Sequence, residues 1–237
     1  MPEITLLKYV LIKQTLSKMN RGNRPYLKGK IHLLAAILYA YICPLILLYV
    51  PEKLLVVIYA YLFCTILHFS TSALLHIPIW SENWLPTIRK IDHIAIYINI
   101  VATYWVYINT IIPDVGIYML ICLYGGTILG ILSRLLYTNA PNYIIAIPYI
   151  MVGWSALFDV SCIFNIMNRS PDVFIYSVLG AICYTSGAIV YILKRPNLIP
   201  GVLEFHELFH LMTTIATILS TYTIFCHVIP YSEIVTL

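Results

Sequence analysis

The sequence predicts an all-α integral membrane protein, a seven-transmembrane helix bundle with a cytoplasmic N-terminus and an extracytoplasmic C-terminus. Three observations support this prediction. The 237-residue chain is 61% hydrophobic and only 10% charged, whereas soluble domains carry about 25% charged residues. Apolar runs of about 20 residues, the length that spans a bilayer core, recur along the chain. Lysine and arginine are concentrated in the tail and at every second connection between these runs, which puts them on one side of the membrane. This composition excludes a soluble globular protein.

The chain starts with a basic segment. Residues 1–30 contain seven lysine and arginine residues and a single acid, Glu3. Basic segments beside a membrane span favour the cytoplasmic side, where they meet anionic lipids. We therefore expect residues 1–30 to form a basic cytoplasmic tail, residues 31–229 to form the membrane domain, and residues 230–237 to form a short outer tail.

Seven apolar runs follow the tail. Proline, asparagine, glycine and charged residues mark the short breaks between them, as is typical of turns. No break is long enough for a folded loop domain. The predicted spans are residues 31–50, 54–77, 91–112, 115–137, 143–166, 173–193 and 203–229.

Positive charge predicts the orientation of these spans, because cytoplasmic loops collect lysine and arginine. Of the fourteen lysine and arginine residues, all but Lys53 and Arg169 fall on the side that carries the tail. That side is therefore predicted to be cytoplasmic. An even number of spans would break the alternation, so the charge pattern also favours seven.

Two pairs of polar residues in the spans have helical spacing. Ser72 and His76 are four residues apart at the end of the second span, and His206 and His210 are four apart at the start of the seventh. Residues with this spacing lie on one face of a helix, about one turn from each other. The predicted orientation places both pairs, together with Asp92 at the start of the third span, at one depth in the cytoplasmic leaflet.

Three histidines at one membrane depth predict a metal site. Neutral imidazoles suit zinc, and three protein ligands leave the fourth tetrahedral position open for water, as in catalytic zinc sites. Zinc is therefore the predicted cofactor, with His76, His206 and His210 as its ligands. Asp92 is predicted to accept a proton from the water, and Ser72 to hold the water or a substrate carbonyl. The alternative is that each histidine only makes a polar contact between helices.

The stretch from His206 to His210 also spells H-E-x-x-H, the signature of zinc proteases in which the glutamate is the general base. An intramembrane metalloprotease is therefore another possible function. Against it, the seventh span carries no acidic ligand downstream of this motif. A carboxylate near a helix N-terminus, as at Glu207, also has a simpler electrostatic explanation.

Three strings resemble the haemolysin III proteins, a family within the progestin and adiponectin receptor (PAQR) superfamily. They are S-T-S-A-L-L-H at 70–76, I-D-H-I-A-I-Y at 91–97 and H-E-L-F-H at 206–210. The resemblance also includes Pro25, Gly29 and His32, which lead into the first span, and residues 102–104, which follow Asp92. It therefore covers nearly the whole chain.

The resemblance implies a zinc site near the cytoplasmic face, held by the histidines that match His76, His206 and His210, with Ser72 and Asp92 near the zinc-bound water. Receptor members of the superfamily resemble ceramidases, which cleave a lipid amide, whereas haemolysin III members are named for a pore-forming activity.

The expected function is therefore zinc-dependent hydrolysis of a lipid amide or ester. The alternative is a pore-forming, cytolytic membrane protein with a structural zinc, and a ligand-sensing receptor is less expected because the tail is short. Membrane lipids, either ceramide-like or phospholipid, are the expected partners. No nucleic-acid partner is expected, and a homo-oligomer is left open.

Overall fold

The computed structural model describes residues 24–137 and 140–230 of the chain. Within these residues the secondary structure is helical, apart from turns and one isolated bridge between Ile199 and Leu203. Most of the predicted cytoplasmic tail (1–23) and of the predicted outer tail (231–237) lies outside the described residues. The all-α prediction is confirmed for the part of the chain that is described.

Eight helices make up the described membrane domain, and six of them are long and apolar enough to cross a membrane. The chain is therefore a multi-pass integral membrane protein, as predicted. In chain order the eight helices are α1 (Lys30–Leu47), α2 (Glu52–His76), α3 (Leu85–Ile108), α4 (Ile117–Leu136), α5 (Asn142–Gly153), α6 (Val160–Arg169), α7 (Pro171–Leu193) and α8 (Phe205–Val228). Helices α5 and α6 are the two short ones.

Helix α3 begins six residues before the predicted third span. We expected Pro86 to belong to the break that precedes this span, but it lies in the first turn of the helix. Proline is tolerated there, because the first N–H groups of a helix have no partner inside the helix. The early start places Arg89 and Asp92 on one continuous helix.

The predicted fifth span, 143–166, is divided into α5 and α6. Asp159 causes the division by capping α6: its carboxylate accepts the N–H of Cys162 at 3.1 Å and also that of Gly116. The end of α5 is held by the Tyr104 hydroxyl, which donates to the Gly153 carbonyl at 2.8 Å. Neither short helix alone has the length of a span. The count of seven spans and the orientation of the termini remain predictions.

Seven of the described helices form a closed ring. Going round it, α1 packs against α2, α2 against α3, α3 against α4, α4 against α5, α5 against α7, and α7 against α8, which returns to α1. Helix α6 packs against α7. The ring brings the first and last long helices side by side, although they are far apart in the sequence.

The two ends of the ring differ in what fills them. At the end where α2, α4 and α7 begin, apolar side chains fill the interior, and Ile58, Leu62, Val106, Met119 and Ile224 are fully buried there. The opposite end contains buried polar side chains around a cavity. The sequence predicts that this polar end is cytoplasmic.

Candidate metal centre

The structure brings the three predicted metal ligands together at the polar end of the ring. His76 is the last residue of α2, whereas His206 and His210 lie in the first two turns of α8. One ligand nitrogen from each imidazole lies within 4.8 Å of the other two. The Nε2 atoms of His76 and His206 are 3.2 Å apart. This histidine triad is therefore positioned to bind a metal ion.

The spacing of the triad fits tetrahedral coordination. Zinc–nitrogen bonds of about 2.0–2.1 Å at tetrahedral angles hold two nitrogens about 3.3 Å apart, close to the 3.2 Å between His76 and His206. A set of three neutral imidazoles also suits iron or nickel. The donor geometry thus supports a metal, and zinc remains the predicted one.

A capping box fixes the start of α8, where two of the three ligands lie. The N–H of Glu204 donates to the Glu207 carboxylate at 3.1 Å, and the Glu204 side chain accepts from the backbone of Glu207. This reciprocal pair satisfies N–H groups that the start of a helix leaves unpaired. The glutamate of the H-E-x-x-H motif therefore has a structural role, as its position near the helix start indicated.

Residues 24–29, here called the N-terminal clamp, hold the two ligand-bearing helices together. Tyr26 donates its N–H to the Gly201 carbonyl at 2.8 Å, just before α8. Gly29 lies against the end of α2, where an added Cβ would come within 2.8 Å of the His76 Cβ. The φ of Gly29 is 74°, in the left-handed region that glycine adopts readily. The clamp therefore packs against both α2 and the segment that leads into α8.

Ser72 and Asp92 lie beside the triad, as predicted. They are only 2% and 6% exposed, respectively, and the Asp92 carboxyl group faces the Ser72 hydroxyl. Both residues line the same cavity as His76, His206 and His210. The structure thus assembles all five predicted site residues, whose catalytic roles remain predictions.

A cavity of about 420 Å³ opens beside the triad. Polar residues of α1, α2, α3 and α8 form one side, and residues of α5 and α7, including Tyr149 and Tyr191, form the other. Lys28 of the N-terminal clamp and Arg89 of α3 also line the cavity. Burial lowers the pKa of Lys28. The cavity therefore joins the metal centre to a carboxyl group and to two basic side chains.

The family comparison covers this whole site. Haemolysin-III related proteins match residues 21–221, from before the N-terminal clamp to well past His210. The chain belongs to the haemolysin-III related family. This confirms the resemblance found in the sequence, including the place of the family in the PAQR superfamily.

This haemolysin-III related protein contains one site residue that sequence analysis noted only as part of the resemblance. The Nδ1 of His32 is 2.8 Å from Ser72 Oγ, its Nε2 is 3.2 Å from Thr213 Oγ1, and its ring stacks on His210 with 4.0 Å between centroids. His32 therefore holds the Ser72 hydroxyl and packs against His210 of the triad. An ionisable residue within an apolar span is a functional candidate by default, so this rule would have identified it.

Proposed function

We propose that the chain is a zinc-dependent membrane hydrolase that cleaves a lipid amide or ester, as a ceramidase does. The observation that carries the proposal is the cavity beside the histidine triad, because Ser72 and Asp92 line it as well. Three metal ligands, a carboxyl group and a hydroxyl group around one space form the set that metal-assisted hydrolysis requires.

Lipid is the proposed substrate class because part of the cavity is lined by apolar side chains. Leu75, Ile96, Ile145, Ala146 and Phe209 line it together with the polar residues. An acyl chain can lie against these side chains while its amide or ester linkage reaches the polar side. The site is also near one end of the helix ring, where we expect lipid head groups to join their acyl chains.

The chain's own residues supply proton transfer and positioning. When bound, zinc polarises a substrate carbonyl and lowers the pKa of water to about 7. Asp92 accepts a proton as water attacks the carbonyl carbon, and returns it to the nitrogen or oxygen that leaves when the amide or ester bond breaks. Ser72 donates a hydrogen bond to the carbonyl oxygen or holds the water, and His32 fixes the position of the Ser72 hydroxyl.

Fatty-acid release from defined lipids tests this proposal. Detergent-purified, zinc-loaded protein is incubated with ceramide or phospholipid, and the released fatty acid is measured by mass spectrometry. We expect release by the wild type, none by His210→Ala, and a rate about 10²- to 10⁴-fold lower for Asp92→Asn with its zinc retained, the usual range for loss of a general acid–base group. A zinc-loaded wild type that releases no fatty acid from either lipid would contradict the proposal.

A pore-forming protein with a structural metal is the second candidate. The name of the haemolysin-III related family favours it, as does the geometry, since the triad joins the end of α2 to the start of α8. Such a protein would release dye from liposomes without changing their lipids. It would also continue to do so as Asp92→Asn, provided that this variant keeps its metal.

A further inference from the structure

Arg134 carries a buried positive charge near the end of α4. The residue is 2% exposed, and neither Nη1 nor Nη2 has a hydrogen-bond partner. A guanidinium group stays protonated in proteins, and a buried charge without a partner is costly. This arrangement is suited to an anion that is not part of the described chain.

The groups near Arg134 are aromatic or basic. His93 and Tyr97 of α3 and Tyr149 of α5 lie within electrostatic range of the guanidinium. The Tyr97 ring packs against Gly130, one turn before Arg134 on α4, so closely that it would clash with a Cβ there. Among the residues that the structure describes, no carboxylate lies within 4.0 Å of Arg134. The junction of α3, α4 and α5 therefore has phenol groups and a cation but no matching anion.

This junction adjoins the cavity of the metal centre. His93 and Tyr149 line that cavity, as do the basic residues Lys28 and Arg89, whereas Asp92 is the one acid among the described residues that line it. Tyr149 also lies within electrostatic range of both Arg134 and Asp92. Arg134 itself is not among the residues that line the cavity, and Tyr149 donates its hydroxyl to the His93 carbonyl at 3.3 Å. An oxyanion in the cavity therefore reaches the guanidinium only when the lining side chains move apart.

We propose that Arg134 binds the phosphate of an anionic lipid whose acyl linkage lies at the histidine triad. The planar fork of arginine bonds two phosphate oxygens at once. The apolar part of the cavity selects lipid phosphate over soluble phosphate. That such a lipid is also the substrate rests on the proposed function, whereas the binding itself does not.

Binding of phosphatidic acid to the purified, metal-loaded protein tests the proposal. Native mass spectrometry compares phosphatidic acid with a diacylglycerol that has the same acyl chains and no phosphate. We expect the diacylglycerol to bind at least about tenfold more weakly, and Arg134→Gln to weaken phosphatidic acid binding about 10- to 100-fold, the range for lost hydrogen bonds to a charged group. Arg195→Gln is the matched control, because Arg195 is an exposed arginine at the same end of the bundle.

Two further variants separate binding from folding. Arg134→Met removes the buried charge while keeping an unbranched side chain, so the lipid-free protein should be at least as stable as the wild type. In thermal denaturation, phosphatidic acid should raise the Tm of the wild type and leave that of Arg134→Met unchanged. Arg134→Lys keeps the charge and loses the fork, so we expect it to bind phosphatidic acid about tenfold more weakly than the wild type.

The phosphate site, its assignment to a lipid and the proposed function can each fail separately. Equal binding of phosphatidic acid to the wild type and Arg134→Met, or of phosphatidic acid and diacylglycerol to the wild type, overturns it. If inorganic phosphate raises the Tm as much as phosphatidic acid does, the assignment of the site to a lipid is overturned. Arg134-dependent lipid binding by a wild type that hydrolyses no lipid supports the phosphate site and refutes the proposed function.

Discussion

Replacing His206 by alanine is expected to abolish metal binding at the histidine triad. The His206 and His76 nitrogens are 3.2 Å apart, so two of the ligands already have the separation that tetrahedral coordination needs. Loss of a group that only orients a ligand lowers metal affinity about 10- to 100-fold. Loss of a ligand itself should therefore lower the affinity by more than about 100-fold.

The same substitution should remove the effect of metal on thermal stability. A metal present at about 100 times its Kd, and bound only by the folded chain, contributes about 2.7 kcal/mol to the free energy of unfolding. For a chain of this length that corresponds to a shift in Tm of roughly 5–10 °C. A chelator should therefore lower the Tm of the wild type by this amount and leave the Tm of His206→Ala unchanged.

Plasma mass spectrometry of detergent-purified protein measures the metal directly. We expect about one zinc per wild-type chain and almost none in His206→Ala. His227→Ala is the matched control, because it removes an imidazole near the other end of the ring, where His227 lies 3.7 Å from Asp172. A folded wild type that contains no metal, and whose Tm responds neither to zinc nor to a chelator, would refute this reasoning and leave the histidines as packing contacts.

Three further substitutions test the supports around the site. Gly29→Ala places a Cβ 2.8 Å from the His76 Cβ, so it should lower the free energy of unfolding by about 1–3 kcal/mol and also reduce the metal content. Gly153→Ala is its control. An added Cβ there meets open space, so this substitution should be nearly neutral in thermal denaturation. His32→Ala removes the partner of the Ser72 hydroxyl. It should cost about 1–3 kcal/mol of the free energy of unfolding and slow fatty-acid release while the metal stays bound. Unchanged fatty-acid release would contradict the positioning role of His32. Asp159→Ala removes the cap of α6. It should lower the free energy of unfolding, measured by thermal denaturation, by about 0.5–2 kcal/mol and leave the metal content unchanged. A neutral effect would show that the cap is dispensable.

The histidine triad could be predicted from the sequence because its pattern is local. The i, i+4 spacing of His206 and His210 gives one helix face, and the distribution of charged residues places that face at the same membrane depth as His76 and Asp92. Neither inference needs the packing of the helices. The structure adds the distances, which depend on how α2 and α8 meet.

Features that depend on long-range contacts could not be predicted in the same way. The break between α5 and α6 falls within an apolar stretch of the sequence. Part of its cause is the hydrogen bond that the N–H of Gly116, on another segment, donates to the Asp159 carboxylate. Arg134 counts in the sequence as one more cytoplasmic charge, and only the packing of α3, α4 and α5 shows that it is buried without a partner. His32 becomes part of the site only because the ring brings α1 beside α8.

The closure of the helix ring has a consequence for biosynthesis. His76 and His206 are 130 residues apart in the chain, and ribosomes add about 5–20 residues per second. The imidazole at the end of α2 is therefore made roughly 6–26 s before its partner. A nascent chain that ends before α8 contains the N-terminal clamp and α2 but has no complete ligand set. Binding of a metal by the triad would therefore mark a chain whose last helix has been synthesised and docked, and truncated products would lack the stabilisation that the metal gives.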